Sequence, residues 1–197
     1  MAQIFISSRG DRSLLPDYAW VHHQHSVLFI KRYGGKEKPD MLKNLEKLVE
    51  EYNTEQGDIC AVFYAHEDEN SSVVIQSPLM KRICAKIVQA EEILFVDSSG
   101  TMDALGCRVF VLLINCCAGG LPVAVILCSS EKEFVIQRAL YMYKEKLLDE
   151  ESFHGRGKRG PKIILTNDSD SERNSFAAAF PEAELLLCSF HVLQAIW

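Results

Sequence analysis

Hydrophobic and polar positions along this chain follow two periods, and the places where the period changes outline the elements. From Pro39 to Asn53, Leu42, Leu45, Val49 and Tyr52 recur at three- and four-residue steps. Lys43, Glu46, Lys47 and Glu50 fill the other face, which predicts a surface helix closed by Gly57. Ile59 to Ala65 and Val73 to Gln76 read as two strands joined at the acidic run His66 to Asn70, a solvated hairpin tip. Ser77 to Gln89, with Leu79, Ile83 and Ile87 apolar, predicts a second helix. It runs into Ile93, Leu94, Phe95 and Val96, a continuous apolar run that reads as a central strand and carries Asp97 to the sheet surface ahead of the turn Ser98, Ser99, Gly100.

Val109 to Asn115 and Leu121 to Leu127 are strand-like, and the loop Cys116 to Gly120 has the length and glycine content of a hairpin connection. Val109 to Cys128 is also long enough, and uncharged enough, to be weighed as a membrane span. The central Gly119, Gly120 and Pro122 favour the buried hairpin. Glu131 to Leu148 follows as an amphipathic helix with Ile136, Leu140, Tyr143 and Leu147 on one stripe. A glycine-rich basic loop, His154 to Pro161, then leads to a strand at Lys162 to Leu165. Ser169 and Glu172 stand at capping-box spacing before a helix that buries Phe176 and Phe180 and stops at Pro181. Ala183 to Leu187 is a further strand, and Cys188 to Trp197 opens another helix. Before all of these, Ser26 to Ile30 reads as a strand, after a solvated loop that holds Trp20, His22, His23 and His25. Antiparallel strands followed by αβ units give a mixed sheet with helices on its faces, an α/β or α+β layered domain.

The totals narrow the function classes. At 197 residues, with 48% apolar and 24% charged, the composition is that of a folded domain. A formal net charge of -6 argues against a surface that is a nucleic-acid footprint throughout, and any DNA contact has to be local. The 7 cysteines are odd in number and scattered through apolar runs, the pattern of reduced thiols in an intracellular protein. No apolar signal core stands at the N-terminus.

Two acidic groups follow strands: Asp97, and the cluster Asn167, Asp168, Asp170. If those strands are neighbours, the carboxylates meet at one edge, as they do where Mg²⁺ is held for in-line phosphoryl transfer. Asp and Asn are also the common turn and N-cap residues, so the second group has a purely structural reading as well. Arg156, Lys158 and Arg159 in the basic loop fit either a solvated connector or a phosphate-contacting loop.

FVDSSGTMD around Asp97, the loop GRGKRGP, the segment LTNDSDSERNSFAAAFPEA and the closing LLLCSFHVLQAIW together resemble the RNase H-like domain of Mutator-like transposases. The likeness is closest to the domesticated animal branch found in SWIM-type zinc-finger proteins. It covers Ser77 to Trp197, which leaves residues 1–76 as an N-terminal helix and hairpin region. The resemblance implies an RNase H-like mixed sheet, a catalytic acid at Asp97, a second after Thr166, and a Cys-x-x-His at Cys188 and His191. It also implies a nuclear protein, with the cytoplasm as the alternative, whose partners are DNA or other nuclear proteins and not membrane.

The chain departs from that pattern at Asn167, which stands where the second acid is expected. An amide keeps an oxygen ligand but loses the charge that a hard divalent cation needs. Asp168 compensates only if the strand end bends, because successive strand side chains point to opposite faces. The third acid and a SWIM finger are expected downstream of Trp197, so the chain is expected to be a fragment of a longer protein. These readings predict a catalytically silent interaction module with no resident cofactor. The alternative is an active strand-transferase holding Mg²⁺ on Asp97 and Asp168. Cys188 and His191 supply only two ligands, so zinc requires partners beyond the chain end.

Overall fold

One seven-stranded mixed sheet organises the described residues, in the order β1-β2-β5-β4-β3-β6-β7. The strands are β1 (Ala61–Ala65), β2 (Ser71–Ile75), β3 (Ile93–Ser99), β4 (Arg108–Cys116), β5 (Gly119–Cys128), β6 (Ile163–Thr166) and β7 (Glu184–Leu187). β1, β2, β5, β4 and β3 pair antiparallel in that succession, whereas β6 and β7 continue the sheet in parallel on the other side of β3. The fold is therefore of the α/β class. The computed structural model describes residues 17–33, 38–65, 70–99, 106–117, 119–189 and 193. The chain divides into two compact units, residues 1–47 and 48–197.

The strands form where apolar, β-branched runs allow one face to be buried. Leu94 and Val96 on β3, Phe110, Leu112 and Ile114 on β4, Ile126 on β5 and Ile164 on β6 lie on that face, all nearly or fully buried. They share one core with Ile136 and Leu140 of α4 (Glu133–Met142) and Phe176 of α5 (Asp170–Ala179). Each such side chain contributes about 1.5–3 kcal/mol by leaving water. α3 (Pro78–Lys86) starts where Ser77 accepts from the Met80 N–H and Pro78 occupies the first turn; Cys84 is its fully buried residue.

The hairpin expected across Cys116 to Gly120 is tighter than its sequence suggests. Gly119 and Gly120 are already paired with Cys116 and Asn115, so the strands run nearly to the turn. Pro122 is tolerated because β2 pairs only with Val125 to Cys128, which leaves the proline's other side without a ladder to complete, and a register shift lies opposite it at Leu112/Leu113. Val109 to Cys128 is accordingly a pair of strands, and among the described residues no helix is long and apolar enough to cross a membrane.

The N-terminal reading needs correction. Ser26 to Ile30 is no strand but part of helix α1 (Tyr18–Tyr33), and His22, His23 and His25 stand on that helix, not in a loop. The overlooked signal is Asp17, whose carboxylate accepts from the N–H groups of Ala19 (2.7 Å) and Trp20 (3.3 Å), a helix N-cap. Rings at four-residue spacing, Tyr18 with His22 and His25 with Phe29, lie 6.1 and 6.0 Å apart along it. α2 (Lys38–Gln56) is the expected amphipathic helix, extended at both ends. Near its end, Asn53 Oδ1 accepts from the N–H groups of Cys60 and Ala61 (2.8 Å each), which fixes the entry to β1. The hairpin β1-β2 forms as expected, although most of its acidic tip, residues 66–69, lies outside the described residues.

Candidate functional site

The central question from the sequence is whether the strand carrying Asp97 and the strand ending at Thr166 are neighbours. They are: β3 and β6 run parallel with Ile93, Leu94 and Phe95 opposite Ile163, Ile164 and Leu165. Continuing that register by two places brings Asp97 level with Asn167. Alternation along β3 leaves Asp97 exposed on one face, while Ser98 is half-buried on the other, core-facing side.

A carboxylate that the sequence assigned elsewhere completes the site. Ser169 caps α5 as expected, its Oγ accepting from the Glu172 N–H at 3.5 Å. The Glu172 side chain, however, does not reach back to Ser169. It turns inward, is 2% exposed, and accepts from the Asn167 N–H through Oε1 at 3.2 Å and from the Ser98 hydroxyl. Asn167 Nδ2 in turn donates to Ser98 Oγ at 2.6 Å. Asn167, Ser98 and Glu172 thus form a closed ring of hydrogen bonds that ties the ends of β3 and β6 to the first turn of α5. Burial pushes the Glu172 carboxyl above its ordinary range; the Asn167 N–H and the Ser98 hydroxyl act against that rise, and the charges of Asp97 and Glu131 add to it.

Those contacts decide what the site can hold. Mg²⁺ is bound by anionic oxygens in a tight octahedral shell. Here the donor facing Ser98 from position 167 is an amide NH₂ group, and the Glu172 carboxylate already accepts from an N–H and a hydroxyl. Among the described residues no group of three or more His, Cys, Asp or Glu is placed to hold a metal ion. The donor set does not fit the dication that the resemblance implies. Two oxygens beside the ring, Thr166 Oγ1 and Asn167 Oδ1, are buried without a hydrogen-bond partner. Asp168 and Asp170 lie just past the strand end, both exposed, with Asp170 3.7 Å from Arg173.

The remaining candidates lie apart from this ring. Cys188 is half-buried, and its N–H donates to the Thr166 carbonyl at 2.9 Å, extending the β6-β7 pairing. Its expected partner His191 lies outside the described residues. The basic loop enters β6 at Ile163 whereas Asn167 leaves the strand at its far end, so the two candidate surfaces sit at opposite ends of one strand.

That loop is a built turn, with His154, Gly155, Lys158 and Arg159 exposed. Phe153 and His154 adopt left-handed conformations (φ 50° and 53°), and Phe153 is fully buried edge-on against Phe180. Arg156 Nε donates to the Gly160 carbonyl at 2.7 Å, Lys158 pairs with Glu145 at 2.6 Å, and Arg159 Nε donates to the Arg156 carbonyl at 3.4 Å. Gly160 itself is required: at φ +77°, an added Cβ would lie 2.4 Å from the Phe180 ring. No family model matches the chain, and no curated protein matches it.

Proposed function

We propose that this chain is a transposase-derived RNase H-like domain that has lost catalysis and serves in the nucleus as an interaction module for nucleic acid or protein. Three antiparallel strands, β3-β4-β5, followed by parallel β6 and β7 on the opposite side of β3, support the RNase H-like reading; β1 and β2 extend the antiparallel edge. The observation that carries the loss of catalysis is Asn167. It sits level with Asp97 across the central parallel pair, where a second metal-binding carboxylate would be needed, and its amide is committed to Ser98. Two-metal or one-metal phosphoryl transfer needs oxygens that stabilise both the attacking and the leaving group, and an amide donor opposes that role.

The test is cleavage of supercoiled and nicked plasmid DNA in Mg²⁺ or Mn²⁺ by the parent chain, with Asp97→Ala as control. The expected result is no metal-dependent product above the Asp97→Ala background. Cleavage by the parent that disappears in Asp97→Ala would restore the strand-transferase reading.

A further inference from the structure

Helices α4 and α5 pack side by side over the core, and an open groove of about 430 Å³ runs along their outer side. The small residues Ala178 and Ala179 of α5 line one side, and Phe134 and Tyr141 of α4, which are 46% and 55% exposed, line the other. Small residues let another backbone approach, and exposed aromatics supply apolar area at low entropic cost.

The charge in this groove is selective. Lys144 Nζ donates to the Ala179 carbonyl at 2.7 Å, and Glu145 in the same lining is paired with Lys158. Glu133, at the start of α4 and outside the lining, accepts from Gln137 and Asn174. Arg138 differs from these: its guanidinium lies 4.4 Å from the centre of the Tyr64 ring and 5.3 Å from that of Tyr141, and among the described residues no carboxylate or carbonyl accepts from it. Two rings lie against the fork and the residue is exposed, a state in which a guanidinium can take a carboxylate in two parallel hydrogen bonds.

We infer that the α4-α5 groove is a docking site for an acidic amphipathic peptide segment, with an apolar side chain on Ala178 and Ala179 between Phe134 and Tyr141 and a carboxylate on Arg138. A protein segment fits better than a nucleic-acid strand. A strand brings a run of phosphates, and beside Arg138 these would meet Glu145 on a chain whose formal net charge is -6. A peptide brings one carboxylate to one unpaired cation, together with the apolar anchor for which the aromatic side is suited. The site stands apart from the Asn167 ring, and the inference holds whether or not that ring is catalytically silent.

The test is selection of phage-displayed peptides on the parent protein with counter-selection on Arg138→Ala, followed by titration of synthesised winners. The expected peptides carry Asp or Glu three or four positions from an aromatic residue or Leu, and bind the parent at least tenfold tighter than they bind Arg138→Ala. Ala178→Arg, which fills the groove from the other helix, is expected to weaken them as much, with unchanged circular dichroism and melting temperature in both variants. Peptides that bind Arg138→Ala as well as the parent would overturn the inference. So would Arg138-dependent binding of oligothymidylate that the peptides fail to displace, because it assigns the groove to single-stranded nucleic acid.

Discussion

The end of β3 and β6 and the groove between α4 and α5 both gather polar groups at helix α5, yet they use them in opposite directions. At the strand ends, Asn167, Ser98 and Glu172 answer one another, and at the other end of β6 the basic residues Arg156 and Lys158 likewise turn to the Gly160 carbonyl and to Glu145. In the groove, Arg138 has rings beside it and, among the described residues, no acceptor. Hydrogen bonds closed within the protein stabilise and position; a donor held in place but unanswered is available to a ligand. The residues that look most chemical in the sequence belong to the first kind, and the one best placed for recognition carries no motif.

Substitutions sharpen this contrast in order of size. Gly160→Ala combines a left-handed backbone with a methyl driven into Phe180, and should destabilise by about 2–4 kcal/mol, read as a lower urea midpoint. Glu172→Ala leaves the half-buried Asn167 N–H without its acceptor and should cost about 1–3 kcal/mol, with α5 fraying first in hydrogen exchange. Asn167→Asp replaces a donor with a third charge beside Glu172 and Asp97; it should cost about 1–2 kcal/mol in chelator at neutral pH. Were Asn167→Asp to raise the midpoint in chelator, the ring would not be a structural unit.

The sign of the pH dependence follows from Glu172. Its folded-state value lies above the ordinary 4.5, so between the two the folded chain holds a proton that the unfolded chain has lost. Stability therefore falls as pH rises from 4.5 through the folded value, and Glu172→Gln should remove that fall across urea midpoints taken at successive pH values. The smallest effect concerns stability at the groove: Arg138→Ala gives up two ring contacts and should shift the midpoint by about 1 kcal/mol or less while weakening peptide binding at least tenfold.

Much of the sheet was legible because continuous apolar runs bounded by glycine and proline leave few alternatives to strands. The central conditional, that Asp97 and the Thr166 strand end meet, is met by the parallel pairing of β3 with β6. Glu172 was not legible as a site residue, because S-x-x-E reads as a capping box whether the carboxylate reaches back to the cap or, as here, inward to Asn167. α1 was missed because Val27 to Ile30 is apolar throughout and β-branched at both Val27 and Ile30, a run that suits a strand as well as a helix; only the Asp17 cap separates them. The Tyr64-Arg138 contact joins residues from different elements and is invisible to any local pattern.

The central claim is that the β3-β6 edge is closed on itself and lacks a metal site because position 167 is an amide. Calorimetric titration of Mg²⁺ and Mn²⁺ into the parent, Asn167→Asp, and Asn167→Asp with Asp97→Ala tests it most directly. The account predicts no saturable binding to the parent, a new site in Asn167→Asp, and its loss when Asp97 is also removed. Micromolar binding by the parent chain that vanishes in Asp97→Ala would contradict it.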